Sequence, residues 1–447
     1  MVAKLGLWWD DLRSSLWFIP ALITLGAVVL ALVTGRVDEV LLAAGRADSA
    51  WIFGGGTEGA RGVLSSIASG IITVTGVDFS VSIVALQLAS SLFSPRVLRN
   101  FMGDPANQIV LGVFIGTFTY TLLVLRTVRS EGPQTTAFIP SLSVTLAIAL
   151  VLVSIGFLIY FIDHTARSIQ ASVIIERAAA TALHEVNHLF PQQIGRAAEG
   201  AGEFGVAPPS PPFTVASRRA GYLRQVDEKA LFALVEKGRL IIRMEPRIGD
   251  FLLPGSPLAS VWPAGAIDAE AERAVRRAFV LGEERSPAQD LELAITQLVD
   301  IAVKALSPGV NDPTTAKLCL DRLAQVIVVL GERAMPLPYR TDGEGRVLFA
   351  AHRTTFERTV DLAFAQIRHF GAGVPSIVVH ILRTLEQVTY RLPPQRRAAT
   401  VAQAEAVLTS AREKISLPDD LAKIERAGDW LQTYRGYGSA DAGGRAA

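Results

Sequence analysis

A multi-pass α-helical membrane protein with four transmembrane helices and a cytoplasmic α+β tail, itself a small β-rich unit plus a helical bundle, is the fold class this sequence predicts. Three observations carry the prediction. Residues 14–35, 62–95, 105–125 and 132–162 together hold a single Asp, Glu, Lys or Arg, which is Asp78. Each stretch exceeds the roughly 20 residues that a helix needs to cross the hydrocarbon core of a bilayer. Only 19% of the 447 residues are charged, and the charges gather after Asp163, where continuous apolar runs give way to amphipathic helices and short strands.

The spans are expected at about 15–35, 63–93, 108–126 and 139–162, within a transmembrane domain of residues 1–165. Lys4 and Arg13 precede the first apolar run as they would in a secretory signal, but "LWFIPALITLGAVVLALVTG" is too long for a signal core and ends without a small-x-small cleavage site. It reads as a retained helix, with Trp8, Trp9 and Trp17 at the interface. The loop 36–62 holds a short amphipathic run, "VDEVLLAAG", and the glycine-rich "FGGGTEGARG". Lys4, Arg13, Arg96 and Arg99 share one side of the membrane. On the other, Arg36, Arg46, Arg61, Arg126 and Arg129 are diluted by Asp38, Glu39, Asp48, Glu58 and Glu131. An even number of spans then puts both termini and the tail on the cytoplasmic side.

The second span is about 45 Å long at 1.5 Å per residue, more than the core needs, so it tilts, kinks or projects. It threads Thr73, Thr75, Asp78, Ser80, Ser82, Gln87, Ser90 and Ser91 through apolar residues, and Pro95 ends it. Asp78 is the expected transport residue, because an ionisable side chain inside a span usually faces a bundle interior or an aqueous path. Thr75, Ser82 and Gln87 complete the expected lining. The competing reading is a protonated carboxyl that joins helices through Thr75 or Ser82.

A juxtamembrane helix is expected over 166–191, stopping at Pro191, and a Gly/Ala/Pro-rich linker over 192–212. The β-rich unit covers 213–263: "FTVAS", "GYLRQV", "GRLIIRME" and "SPLASVW" read as strands, around a helix capped by Asp227 and ended by Gly238. Its "RIGDFLLPGSPLASVW" resembles the hairpins of lipoyl-like modules, but no lysine stands at the tip, so an oligomerisation or docking unit is the plainer reading. From Ile267 the chain reads as helical apart from turns near 336–345, giving a bundle over 264–435 and a disordered tail over 436–447.

Inside that bundle "ALSPGVNDPTTAKLCLDRL", residues 305–323, joins two helices. The first is expected to start at Ser286 with a capping box, Pro287 at its first position and Gln289 three residues on. Its dense apolar residues predict burial on most sides. Pro308 and Gly309 stop it. The second starts with Asp312 as N-cap and Pro313 in its first turn, and runs to Gly331. The plain reading is a rigid antiparallel hairpin. The functional one is a ligand or partner corner made by Ser307, Asn311, Asp312, Thr314 and Thr315 at the free amides of the second helix. Asp312 opposes an anion there, which leaves a partner's polar group.

"ALSPGVNDPTTA", preceded by "QLVDIAVK", and the distant "TVTGVDFSVSIVALQLASSLFSPRVLRNF" resemble the signatures of an uncharacterised bacterial family of predicted membrane proteins, the domain of unknown function 2254. The resemblance extends over about residues 10–430. It implies residence in a bacterial inner membrane and no established activity, so no catalytic residue is carried over.

"HEVNH" raises an enzymatic alternative. In H-E-x-x-H on a helix both histidines face one way to ligate zinc, and the glutamate acts as general base. His184, Glu185 and His188 have that spacing, but no third ligand stands out, and two exposed histidines on an ordinary helix fit as well. Otherwise no metal or cofactor is expected. The chain has no Walker loop, no G-x-G-x-x-G after a strand, no Cys-His cluster and no concentrated basic patch, which argues against nucleotide and nucleic-acid binding. Its one cysteine, Cys319, cannot form an internal disulfide. The leading functional expectation is a homo-oligomeric ion channel or transporter for an ion or small solute, with a tail that assembles or gates it. The rivals are a membrane-anchored zinc hydrolase and a non-catalytic membrane scaffold or sensor.

Overall fold

The computed structural model describes residues 15, 17–43, 53–92, 104–130, 137–189, 210–238, 240–286, 289–333, 335, 339–341, 347–350 and 354–434. The chain divides into two compact units, Met1–Val173 and Ile174–Ala447. Lys4, Trp8, Trp9, Arg13, Arg96, Arg99, Pro191, Pro287, the tail 436–447 and all but 210–212 of the linker lie outside the described residues.

Among the described residues the first unit holds four long helices, α1 Phe18–Ala43, α2 Thr57–Leu92, α3 Pro105–Thr127 and α4 Ser141–Ser168. All four are long and apolar enough to cross a membrane. α3 is the most enclosed of them and packs against the other three. A Cβ on Gly112 would lie 2.7 Å from Ile23 Cδ1, and one on Gly116 3.4 Å from Ile23 Cγ2, so this pair lets α1 and α3 approach closely. Much of the outward surface is apolar, with Leu25, Leu32, Val77, Leu152 and Ile159 all exposed, as suits a lipid-facing surface.

The "VDEVLLAAG" run is not a separate loop segment, because α1 continues through it to Ala43. The reason lies on another helix. α4 is preceded by Pro140, whose side chain makes no cap hydrogen bond. Asp38 supplies the cap instead, accepting from the amides of Leu142 at 2.9 Å and Ser143 at 3.0 Å and from the Ser143 hydroxyl.

The second unit opens with α5, Ala171–Leu189, whose buried face carries Ile174, Ile175, Ala178, Ala182 and Val186. Next come β1 Phe213–Ala216, β2 Gly221–Val226, α6 Glu228–Gly238, β3 Ile241–Met244, β4 Phe251–Leu252 and β5 Pro257–Trp262, all but the two-residue β4 at places the sequence predicts. Asp227 caps α6 by accepting from the Ala230 amide at 3.0 Å. α7, Ala269–Ala278, is capped by Asp268.

The expectation of an all-helical chain after Ile267 fails at two places. Phe279–Gly282 forms β6, which pairs antiparallel with β2, and a hairpin of β7 Tyr339–Thr341 and β8 Val347–Ala350 joins the sheet through a parallel β3–β8 pairing. The result is a five-stranded sheet in the order β1-β5-β3-β8-β7 and a three-stranded sheet β4-β2-β6. Leu223, Leu231, Ile242, Leu258, Val261 and Val275 fill their common core. The strands β6, β7 and β8 have three or four residues each, too few to display a period, and β6 and β8 are held by β2 and β3, distant in sequence.

The bundle consists of α8 Leu291–Ala305, α9 Pro313–Gly331, α10 Phe356–Gly371, α11 Pro375–Arg391, α12 Arg397–Lys414, α13 Pro418–Gly428 and the short α14 Leu431–Tyr434. α8 is buried on most sides, as its density of apolar residues predicts. It does not start at Ser286. Asp290 is its N-cap, accepting from Leu293 N at 2.9 Å and gripped by both arms of Arg285 at 2.9 Å. Gln289, at φ 60°, turns its side chain away to pair with the backbone of Val226, so no capping box closes on Ser286.

Candidate functional site

Two faces of α2 carry its polar residues, and they point in opposite directions. At about 100° per residue, Asp78, Thr75 and Ser82 fall on one face, whereas Gln87, nine residues on, falls about 180° away. Burial agrees: Asp78 is 4% exposed, Thr75 and Ser82 are half-buried, and Gln87 is exposed. The predicted lining therefore separates, with Gln87 apart from the other three. It belongs instead to an outward row of Gly62, Ser66, Ser69, Thr73, Gly76, Ser80 and Gln87, all exposed. Their spacings of three, four and seven residues trace one seam about 38 Å long, enough to cross a bilayer. Thr73 and Ser80 donate their hydroxyls to the carbonyls of Ser69 and Gly76, at 2.8 Å each.

On the inward face Asp78 lies beyond an apolar cluster in which Ile71 of α2 meets Val110 and Phe114 of α3 and Phe161 of α4. Thr75 does not tether Asp78, since its hydroxyl donates to Ile71 O at 2.7 Å. Asp78 Oδ1 is buried with no hydrogen-bond partner among the described residues, and so are Asn107 Oδ1 and Thr165 Oγ1. Near this end of the bundle Asp104 caps α3 through Ala106 N at 3.0 Å and meets His164 Nε2 at 3.0 Å.

Sequence reasoning passed over Asn107, Thr165, the Asp104–His164 pair and a second polar group at the opposite end of the bundle. There Tyr120, fully buried, bonds Thr34 at 3.1 Å and Ser143 O at 3.2 Å, close to the Asp38 cap. An available signal was the pair of amides Asn107-Gln108 early in an otherwise apolar span; both are buried.

The 305–315 corner satisfies itself. Ser307 Oγ donates to Lys304 O at 2.6 Å. Asp312 accepts from the amides of Thr314 and Thr315, both at 3.1 Å, and from the Thr315 hydroxyl. That hydroxyl, followed by the amides, holds the Asp312 carboxyl below the usual carboxylate range. Asn311 sits at φ 50°, a left-handed conformation in which Asn and Gly are the tolerated residues. Only Asn311 and Thr314 of the five candidate residues are exposed. We expect Asn311→Gly to leave stability within a few tenths of a kcal/mol, Asn311→Ala to cost about 1, and Asp312→Ala about 1–2, read from urea midpoints. Equal losses for the two Asn311 variants would contradict the backbone explanation.

In "HEVNH" the two histidines are exposed and stacked with ring centroids 6.1 Å apart, as i, i+4 spacing dictates. Glu185 sits about 60–100° round the helix from them, on the side turned into the fold. It is buried, and its carboxylate accepts from Gln289 N at 3.2 Å. Among the described residues no three His, Cys, Asp or Glu side chains gather as a metal ligand set. This geometry lends the zinc alternative no support, since a general base must lie beside the metal.

Burial pushes the Glu185 carboxyl above the usual range, against the Gln289 amide and the two histidines, which favour ionisation. A raised carboxyl pKa stabilises the fold most below the ordinary value, and that contribution is lost as pH rises through the folded-state value. Glu185→Gln removes the titration and keeps an acceptor for Gln289. Wild type should therefore lose stability relative to this variant as pH rises above the ordinary glutamate range, about 4, measured as the difference in urea midpoints. A difference independent of pH would count against the assignment.

The chain's similarities agree with four apolar helices. A family model described as "Predicted membrane protein (DUF2254)" matches residues 13–387. An uncharacterized protein of Mycobacterium bovis is 34% identical over 424 residues, covering 93% of this chain and 80% of its own length. An uncharacterized protein of Mycobacterium tuberculosis matches with the same identity and coverage. No solved structure matches.

Proposed function

This chain belongs to that family of predicted membrane proteins, and with membrane residence as the premise we propose that it is one subunit of a homo-oligomeric channel or carrier for an ion or small solute. The outward row on α2 carries the reading. Seven small or polar residues, Gly62 to Gln87, are exposed on a helix whose other outward side chains from Ile71 onward are apolar, among them Ile72, Val77, Phe79 and Val84. Lipid gains nothing from such a row, whereas small residues let a second helix approach closely and hydroxyls and amides suit a polar path. In this arrangement α2 of each copy faces its neighbours around a shared axis. Gln87 lies on that path, and Asp78, Thr75 and Ser82 stand behind it inside the subunit.

The distribution of Lys and Arg favours both termini and the second unit on the cytoplasmic side of a bacterial inner membrane, where the second unit would assemble or gate the subunits.

Crosslinking and flux test this together. Cys319 is buried, so Thr73→Cys would add the one accessible described thiol. Oxidation in membranes should then produce dimers, whereas Phe79→Cys, also exposed but about 120° round the helix from Thr73, should not. Reconstituted wild type should pass a small ion through liposomes at least tenfold faster than Ser69→Leu with Gly76→Leu. Monomers under all conditions, or no flux from wild type, would defeat the proposal.

A further inference from the structure

We propose that Asp78, Asn107 and Thr165 form a binding site for a monovalent alkali cation, Na⁺ or K⁺, between α2, α3 and α4. The proposal rests on inward-facing oxygens and does not depend on the outward row or on flux. α2 and α3 run antiparallel, and α4 runs with α2. Passing along the bundle, Ala60, Leu64, Val124, Tyr120, Val144 and Ala147 share one apolar cluster, and Ile71, Val110, Phe114 and Phe161 share the next. Seven residues past Ile71 is Asp78, seven before Phe114 is Asn107, and seven past Leu158, which packs on the same cluster, is Thr165. Seven residues are about two helical turns, which preserve the face to within about 20° and advance about 10 Å. The three side chains thus emerge at one level, on the faces that their helices turn toward one another.

Their chemistry is that of an unfilled shell. The residues are 4%, 8% and 4% exposed, and Asp78 Oδ1, Asn107 Oδ1 and Thr165 Oγ1 have no hydrogen-bond partner among the described residues. Buried polar atoms are nearly always satisfied, so three orphan oxygens at one level of one bundle call for a common partner. A carboxylate, an amide carbonyl and a hydroxyl are hard oxygen donors, which suit alkali and alkaline-earth cations. Charge selects between them. A single positive charge neutralises Asp78, whereas a divalent ion leaves an excess charge in apolar surroundings, where it is costly. The neighbouring carboxylate, Asp104, already has His164 at 3.0 Å and the Ala106 amide at 3.0 Å. No thiol or imidazole cluster among the described residues competes for a softer metal.

Direct binding decides the matter. The purified full chain in detergent micelles would be melted in choline chloride and in LiCl, NaCl, KCl or CaCl₂ at constant ionic strength. NaCl or KCl should raise Tm saturably, as a ligand of the native state does. Thr165→Val, a near-isosteric change, and Asn107→Leu should each weaken the midpoint of that rise at least tenfold, and Asp78→Asn should abolish it. A Tm indifferent to alkali cations, as a protonated Asp78 would give, overturns the proposal. So does a rise that Thr165→Val and Asn107→Leu retain in full, or a preference for Ca²⁺. Because binding is read in micelles, absent flux with a saturable, variant-sensitive Tm shift would sink the channel and leave the site standing.

Discussion

Arg396→Ala is expected to destabilise the second unit by about 3 kcal/mol, and Arg396→Lys by nearly as much. Helix α9 ends at Gly331, where Glu332 N and Arg333 N reach back to Val328 O and Leu330 O and the last carbonyls have no following turn to accept from. Arg396 reaches them from outside: Nη1 donates to Leu330 O at 2.8 Å and Gly331 O at 3.0 Å, and Nη2 to Arg333 O at 2.7 Å. Its guanidinium also lies over the Phe356 ring, 5.2 Å from the centroid. Burial draws its pKa below the ordinary guanidinium value, with Glu357 opposing. One planar fork therefore ties the ends of α9, α10 and α12 together at a place with no room to relax, since a Cβ on Gly331 would collide with Leu392. Alanine takes this donor from the Gly331 and Arg333 carbonyls and leaves Leu330 O with only backbone amides, Arg333 N at 3.1 Å among them. Lysine restores the charge but brings a single nitrogen, which cannot span all three carbonyls. A loss near 3 kcal/mol lowers Tm by about 6–10 °C in a unit of this size. Faster hydrogen exchange should appear first in the last turn of α9. Full rescue by lysine would show that charge alone was at work.

The helix ends that were legible in the sequence are those decided within a few residues. Asp312 reaches amides two and three residues on, and Asp227 one three residues on, so a cap residue before an apolar period suffices to find both. The sequence alone places the start of α8 at Ser286, whereas the structure puts it at Asp290. The choice between them was made by Val226 and Glu185, which hold Gln289 from 63 and 104 residues away. Strands β6 and β8 escaped for the same reason, and β7 is the short hairpin arm of β8. The four membrane helices needed only length and the absence of charge, and all were legible. The polar residues of α2 were also visible, but grouping Gln87 with Asp78 ignored a helical period that already set them on opposite sides. Asn107 and Thr165 are another matter. Their importance comes from meeting Asp78 at one level, which no single helix reveals.

Asp38→Ala is expected to destabilise the first unit by about 2–3 kcal/mol, and Asp38→Asn by about half of that. The carboxylate is 6% exposed and lies 104 residues from the first amide it accepts. Two effects act together there. The amides of Leu142 and Ser143 have no cap of their own, because Pro140 contributes no side-chain hydrogen bond. A negative charge also suits the positive end of the α4 dipole. Asparagine keeps one acceptor but presents an amine to the donors of Ser143, which explains an intermediate loss. Ser143→Ala removes only the hydroxyl donor, so its cost should shrink when Asp38 is already alanine, a coupling that a double-mutant cycle in mixed micelles would read directly. The consequence reaches beyond stability. Asp38 pins the start of α4 to α1 while Ser143 O also receives the Tyr120 hydroxyl of α3, so one small polar group fixes three helices at the end of the bundle opposite Asp78. With that end loosened, the level at which α2, α3 and α4 bring Asp78, Asn107 and Thr165 together is no longer set. Alkali-cation stabilisation should therefore weaken in Asp38→Ala although no ligand oxygen has changed. An Asp38→Ala chain as stable as wild type would show that the cap is not what holds these helices in register.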